Sequence, residues 1–331
     1  MESTSDSSQI AQLVAGVKRR DRACLAEALN LVDDRRPLAH ARAAKLLQEL
    51  EQASIASQSH LIGLTGPPGA GKSTLTAALI SLWRQRGKRI GVLAVDPSSP
   101  ISGGALLGDR LRMKISSGDD GVFIRSLASR GEFGGLSAEV WPMSLVMLTA
   151  FDVVLIETVG VGQREVDVAG ICDTTCYVAQ PGSGDSIQFL KAGIMEVPHL
   201  LVVNKEDMGA VARRTLAELG TALGKGHADG NWEVPVLAAS ATVGSGIEDV
   251  ADALHRHWQT LINTGQLSSR RKQSQAGWII KRIRDEFGSH GISRLGGQDM
   301  LIQRIRDQHH SLFEQHEILR LILLETGETH A

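Results

Sequence analysis

A glycine-rich segment in the first quarter of the chain places the strongest constraint on the fold. Together with the following Thr74, it supplies the candidate phosphate-binding residues Gly66, Pro67, Pro68, Gly69, Ala70, Gly71, Lys72 and Ser73. An apolar run at 61–64 precedes it, and a helix-compatible stretch follows. A loop between a strand and a helix directs backbone N–H groups and the positive helix end at a polyphosphate. The segment therefore predicts a nucleotide-binding α/β domain.

Individual residues of this segment have separate predicted roles. Lys72 is expected to reach the β- and γ-phosphates and to act in catalysis, and the Ser73 hydroxyl is expected to ligate Mg²⁺. The glycines are needed because a Cβ would block close approach or the required φ. The alternative is a glycine-rich turn that binds no ligand, which the complete pattern disfavours.

Composition excludes several classes of protein. The chain has 331 residues and a formal net charge of −2, so no global basic field indicates nucleic acid. The three cysteines are too few for a disulfide framework, and Cys172 and Cys176 lack the second pair of a zinc site. No signal peptide or membrane-spanning apolar stretch is evident, so the expectation is a cytoplasmic protein that binds no membrane.

The chain divides into three patterns. Residues 1–58 show helical periodicity and predict an N-terminal helical extension. Residues 59–262 alternate short β-rich runs with helix-length segments, and residues 263–331 are helical again. The predicted strands are 61–65, 90–95, 121–124, 152–157, 175–179, 200–204 and 235–239. Because most are apolar on both faces, the expected fold class is α/β, a doubly wound, mostly parallel sheet.

Acidic residues at two predicted strand ends are candidate metal ligands. Asp96 follows the 90–95 strand, and Glu157 ends the 152–157 strand and leads to Gly160. A carboxylate there can meet the Mg²⁺ shell, and the Gly160 N–H can contact a γ-phosphate oxygen, which is the physics of a nucleotide switch. Asp109 is a further candidate for the metal shell. A simple Asp-Pro turn remains open for Asp96, and Asp109 could either contact the metal through water or organise its loop.

Base identity is predicted by Asn204, Lys205 and Asp207, directly after the apolar strand 200–203. The Asp207 carboxylate can accept hydrogen bonds from guanine N1–H and the 2-amino group, whereas adenine offers neither donor. Asn204 would support its own loop and the purine edge, and the Lys205 stem would cover the ring face. Ser240 and Ala241 would give backbone N–H groups to guanine O6. These residues predict guanine specificity.

The polar loop after the 175–179 strand is a candidate movable segment. It could deliver Asp185, Gln188 and Lys191 to the nucleotide. A flexible connection into a helix is equally compatible with its composition.

These motifs resemble the MeaB/ArgK group of P-loop GTPases, which includes the human methylmalonic aciduria type A protein. The resemblance is carried by 66–73, 95–100, 157–163 and 204–207, and it covers roughly residues 10–325. Similar elements also occur at 129–131 and 134–136.

The resemblance implies a GTPase that chaperones adenosylcobalamin-dependent methylmalonyl-CoA mutase or a related acyl-CoA mutase. It implies GTP and GDP as substrate and product, Mg²⁺ near Asp96, Asp109 and Glu157, and Lys191 on an additional switch that answers to the mutase. It also implies a homodimer joined by a C-terminal helical dimerisation arm that carries Leu319, Leu321 and Ile322. Two positions depart from the pattern: Arg164, where many relatives have a small hydroxyl residue, and Glu132, where His is frequent.

Two other functions remain open. A P-loop kinase would transfer the γ-phosphate to a small molecule or protein, but no separate acceptor base is evident. A metallochaperone GTPase would need a Cys/His cluster, for which His309 and His310 are poor substitutes.

Overall fold

The computed structural model of the chain describes most of its residues. The described ranges are 2–34, 36–55, 58–96, 118–128, 137–158, 168–183, 198–223, 227–228, 232–307 and 311–325. Within these ranges, no helix combines the length and the apolar character needed to cross a membrane.

A seven-stranded sheet forms the centre of the nucleotide-binding region. Its strands are β1 His60–Thr65, β2 Ile90–Asp96, β3 Val122–Ala128, β4 Val153–Thr158, β5 Thr174–Ala179, β6 Leu200–Val203 and β9 Val236–Ala238. The order is β3-β2-β4-β1-β5-β6-β9, and every neighbouring pair is parallel. The predicted doubly wound α/β fold is confirmed.

The burial of the strands explains this architecture. Every residue of β1, β4, β5 and β6 is buried, as expected for a sheet that is covered on both faces. The covering helices of this region are α4 Lys72–Gln85, α6 Ala210–Leu223 and α7 Ile247–Asn263. Strand β1 lies between β4 and β5, so the loop that follows it emerges at the middle of the sheet edge.

A short hairpin was not predicted. Strands β7 His227–Ala228 and β8 Trp232–Glu233 pair in antiparallel fashion. Two residues per strand give no alternation of apolar and polar positions, so no pattern in the sequence could reveal them.

The other α-helices of the described residues form a second compact unit. They are α1 Glu2–Lys18, α2 Arg22–Asp33, α3 Pro37–Ile55, α5 Val140–Ala150, α8 Gln266–Arg294, α9 Gln298–Asp307 and α10 Leu312–Glu325. The chain separates into unit 1, residues 1–58, 138–150 and 268–331, and unit 2, residues 59–137 and 151–267.

This division differs from the three consecutive regions expected from the sequence. The N- and C-terminal helices belong to one unit, and they include α5, which interrupts the sheet region along the chain. Helix α5 is apolar on all sides and packs against α1, α2 and α3. Trp278 Nε1 donates to Ala138 O at 2.7 Å just before this helix. An all-apolar helix must be enclosed, and the sequence does not say by which helices.

A buried carboxyl group joins three helices of unit 1. Glu51 on α3 is 6% exposed, and both of its oxygens accept from the Leu312 N–H at the start of α10, at 3.0 and 2.9 Å. Gln275 Nε2 on α8 donates to Glu51 Oε1 at 2.9 Å. Burial raises the pKa of Glu51 to about 7, against the lowering effect of the Leu312 hydrogen bond.

Candidate functional site

The loop between β1 and α4 has the backbone geometry of a phosphate cradle. Gly66, Gly69 and Gly71 have φ angles of 141°, 79° and 86°, a region that L-residues rarely adopt. A Cβ on Gly66 would lie 2.1 Å from Val178 O, and one on Gly71 would lie 2.4 Å from Asn204 Nδ2. Glycine is therefore required at both positions, for the backbone angle and for the space.

Lys72 and Ser73 begin α4 beside this loop. Lys72 is 6% exposed, and its Nζ donates to Gly66 O at 2.8 Å and to Pro67 O at 3.0 Å. The ammonium group thus lies over the carbonyls of the loop, next to the position where phosphates bind in such cradles. Ser73 Oγ donates a short hydrogen bond to Glu157 Oε1 at the end of β4. The structure brings these candidate phosphate and metal residues together.

Asn204 connects the phosphate loop to the loop after β9. Its Nδ2 donates to Ala70 O at 2.9 Å and to Gly71 O at 3.3 Å, and its Oδ1 accepts from the Ala241 N–H at 3.2 Å. Only 2% of Asn204 is exposed, so these hydrogen bonds satisfy a buried carboxamide. The residue after it, Lys205, has a left-handed backbone with φ 62°.

Asp207 lies in the short 3₁₀ helix Glu206–Met208 that follows Lys205, and it is exposed. Its Oδ1 accepts from Ser240 Oγ at 2.5 Å. The Ser240 hydroxyl, on a residue that is 1% exposed, holds the carboxylate in one orientation while leaving it open to a base. The Ser240 N–H donates to Ser245 O at 3.0 Å. The predicted contact of the Ser240 and Ala241 N–H groups with guanine O6 stays a prediction.

Several predicted site residues lie outside what the structure describes. Asp109, Gly160 and Lys191 fall in undescribed segments, as do Asp185, Gln188, Arg164 and Glu132. The backbone of Asp96 ends β2, and its side chain is not described. Their predicted roles stay predictions.

Two contacts of the site were missed by the sequence analysis. The Ser240 hydroxyl orients Asp207, although only the backbone of Ser240 was assigned a role. Gln180, one residue beyond β5, has its Oε1 3.2 Å from the position that a Cβ would take on Gly69. Both contacts join segments that are distant in sequence, so they depend on the strand order, which no local motif encodes.

Known proteins share this combination of fold and site. The family model described as methylmalonyl-CoA mutase-associated GTPase MeaB matches residues 25–294. The GTPase ArgK of Escherichia coli is 35% identical over 287 residues, which cover 85% of this chain and 86% of that protein. The mitochondrial methylmalonic aciduria type A homolog of Caenorhabditis elegans is 34% identical over 300 residues, 86% of this chain and 75% of that protein.

A solved structure supports the same assignment. The crystal structure described as an LAO/AO transport system kinase matches with a TM-score of 0.70 and 27% identity, over 96% of this chain and 98% of that one. The phosphate loop, the guanine motif and these relatives agree. The chain belongs to the MeaB family of GTPases and is a GTPase that binds guanine nucleotides.

Proposed function

We propose that this GTPase is a chaperone of an adenosylcobalamin-dependent acyl-CoA mutase, with methylmalonyl-CoA mutase as the first candidate. GTP binding and hydrolysis would gate the loading of adenosylcobalamin and protect or reactivate the mutase. The observation that carries the proposal is the match of residues 25–294 to a family whose description is mutase-associated. The methylmalonic aciduria type A homolog among the relatives supports the same partner.

The oxygen ligands around the phosphate loop support Mg²⁺ as the metal of the reaction. The Ser73 hydroxyl and the Glu157 carboxylate lie within hydrogen-bond reach of each other, and Glu157 is 4% exposed. Hydroxyl and carboxylate oxygens are the ligands that Mg²⁺ takes beside substrate phosphates. The metal would neutralise charge on the phosphates, with Asp96 and Asp109 in its surroundings. Lys72 would bind the β- and γ-phosphates, and Gly160 would contact the γ-phosphate.

The direct test is GTP hydrolysis by the purified protein, alone and with each adenosylcobalamin-dependent acyl-CoA mutase of its host. We expect one mutase to co-purify with this GTPase and the rate of GTP hydrolysis to change in the complex. Lys72→Ala serves as the nucleotide-binding control, because it removes the charge that acts on the phosphates. Absence of both binding and rate change with every such mutase would refute the chaperone function while leaving the GTPase intact.

The same assay separates the two other functions. A kinase, as one structural relative is described, would transfer labelled γ-phosphate to an acceptor instead of releasing phosphate. A metallochaperone would bind nickel or zinc tightly. The described residues contain no group of three potential metal-binding side chains. Burial raises the pKa of the Cys176 thiol to about 12, which disfavours the thiolate that a metal needs.

We also propose a homodimer formed through the C-terminal arm. On α10, Leu321 and Leu324 are 46% and 44% exposed, and their spacing puts them on one side of the helix. Leu319 is 3% exposed and packs inside unit 1, so it serves the core. The mass in solution tests the dimer. Leu321→Lys together with Leu324→Lys should yield a folded monomer, and a dimer that survives both changes would contradict this interface.

A further inference from the structure

The phosphate loop rests against the end of strand β5. Register pairs Thr65 at the end of β1 with Tyr177 on β5. One residue further, a Cβ on Gly66 would lie 2.1 Å from Val178 O, so the first glycine of the loop touches the β5 backbone directly. Any shift of β5 at this level must therefore move the loop or break the contact.

The middle of the loop lies beside the side chain of the residue that follows β5. Gln180 directly follows β5, and its Oε1 lies 3.2 Å from the Cβ position of Gly69. Gln180 is half-buried. Asn204, after β6, approaches Gly71 in the same way. The glycines of the loop are thus flanked by two carboxamides, and only Asn204 belongs to a guanine motif.

The backbone after Gln180 is anchored to the helix that follows the guanine motif. The Gly182 N–H donates to Thr215 Oγ1 on α6 at 3.1 Å, and Thr215 is 5% exposed. Ser183 Oγ donates to Gln180 O at 3.1 Å, which closes the turn. The turn that begins at Gln180 is thereby hydrogen-bonded to α6, and the side chain of Gln180 extends to the phosphate loop. The residue joins the phosphate half of the site to the base half.

We propose that Gln180 is a positioning residue of the GTPase site. Its carboxamide braces Gly69, whose N–H belongs to the set of donors that face the phosphates. It also couples the state of the phosphate loop to the turn 180–183 and to α6. This role concerns nucleotide binding by the GTPase itself and does not depend on the identity of a mutase partner.

The test uses the full-length protein and the release of a fluorescent GDP analogue. Gln180→Leu removes the carboxamide at nearly constant size, and we expect release to become about 5- to 10-fold faster, because the loop loses the group that packs against Gly69. Gln85→Leu is the matched control, because Gln85 is an exposed carboxamide at the far end of α4. The control should release nucleotide at the wild-type rate.

A charged variant distinguishes positioning at the phosphates from a merely structural role. Gln180→Glu keeps the length and one acceptor oxygen, but it sets a negative charge beside the phosphate loop. We expect faster release than in Gln180→Leu, with an excess that shrinks as salt is added, because salt screens the repulsion. Thermal unfolding of the nucleotide-free variants should stay close to that of the wild type.

Hydrogen exchange tests the coupling. Nucleotide should protect peptides that contain 180–183 in the wild type and in Gln85→Leu, and this protection should be lost in Gln180→Leu. If Gln180→Leu does not fold, Gln180→Asn replaces it, since its shorter side chain cannot reach Gly69. Release rates within about twofold of wild type in the Leu, Glu and Asn variants would overturn the proposal, as would unchanged protection of the turn.

Discussion

Replacing Gly71 by alanine tests the geometry of the phosphate loop most directly. The added methyl group would lie 2.4 Å from Asn204 Nδ2, well inside van der Waals contact, at a residue whose φ is 86°. The left-handed backbone costs an L-residue about 1–2 kcal/mol. Asn204 must then move, although it is buried and its Nδ2 donates to Ala70 O at 2.9 Å and to Gly71 O at 3.3 Å.

The displacement of Asn204 has its own energetic cost. Leaving a buried donor without its acceptor costs about 1–3 kcal/mol. Added to the backbone strain, this gives Gly71→Ala a loss of about 2–5 kcal/mol in the free energy of unfolding of the nucleotide-free protein. Urea unfolding measures it as a fall in the midpoint at a constant slope. GDP affinity should fall as well, because Asn204 also accepts from the Ala241 N–H.

Gly87 provides the matched control. Its φ is 75°, and a Cβ there would meet nothing within 4 Å. Gly87→Ala therefore carries the same backbone strain without the clash, and should cost about 1–2 kcal/mol with normal GDP binding. In a protein that already carries Asn204→Ala, Gly71→Ala should lower the free energy of unfolding by no more than Gly87→Ala does. Equal losses for the two glycine variants in the wild-type background would refute the argument from the Asn204 contact.

Three further results are expected. Asp207→Asn should weaken GTP binding about 10- to 100-fold and favour xanthine nucleotides, because an amide presents donors where guanine also donates; unchanged guanine preference in competition binding would contradict the base assignment. Lys72→Ala should slow GTP turnover about 100-fold or more in a folded protein, as judged by circular dichroism and phosphate release; normal turnover would exclude its role. Glu51, with its pKa raised to about 7 by burial, holds its proton longer in the folded state than in the unfolded one. The contribution of Glu51 should therefore lower the free energy of unfolding by about 3 kcal/mol as the pH rises from 4.5 to 7. Glu51→Gln should remove this part of the pH dependence in urea unfolding, and an unaltered profile would contradict it.

The strands could be predicted because strands that are buried on both faces are continuous apolar runs in the sequence. Continuous apolar runs located β1, β4 and β5 to within a residue or so of their observed ends. The edge strand β3 was predicted too short, since it continues to Ala128 through Arg125 and Ser126. An edge strand pairs on one side only, here with β2, and tolerates polar residues that end an apolar run.

Helix α5 shows that the hydrophobic pattern of a helix does not predict which other elements it packs against. Its apolar character on every side predicts that it is enclosed, but not that it packs with α1, α2 and α3 rather than with the sheet that precedes and follows it. The partners of a helix are set by the course of the whole chain. For this reason the predicted boundaries at 58 and 262 lie at or near the segment limits at 58 and 267, but they do not indicate that both ends of the chain and α5 form one compact unit.

In the nucleotide site, too, local motifs predict some features and the order of the strands decides others. The motifs predict Lys72, Asn204 and Asp207 as nucleotide contacts, because each contact with a phosphate or a base requires a particular side chain at a particular strand end. The hydrogen bonds between these motifs follow from the order of the strands. Asn204 after β6 reaches the phosphate loop after β1, and Ser240 after β9 orients Asp207. A single buried carboxamide therefore supports the loop that faces the phosphates and the loop that faces the base. A change at Asn204 should weaken both halves of nucleotide recognition together, although the sequence motif assigns it only to the base.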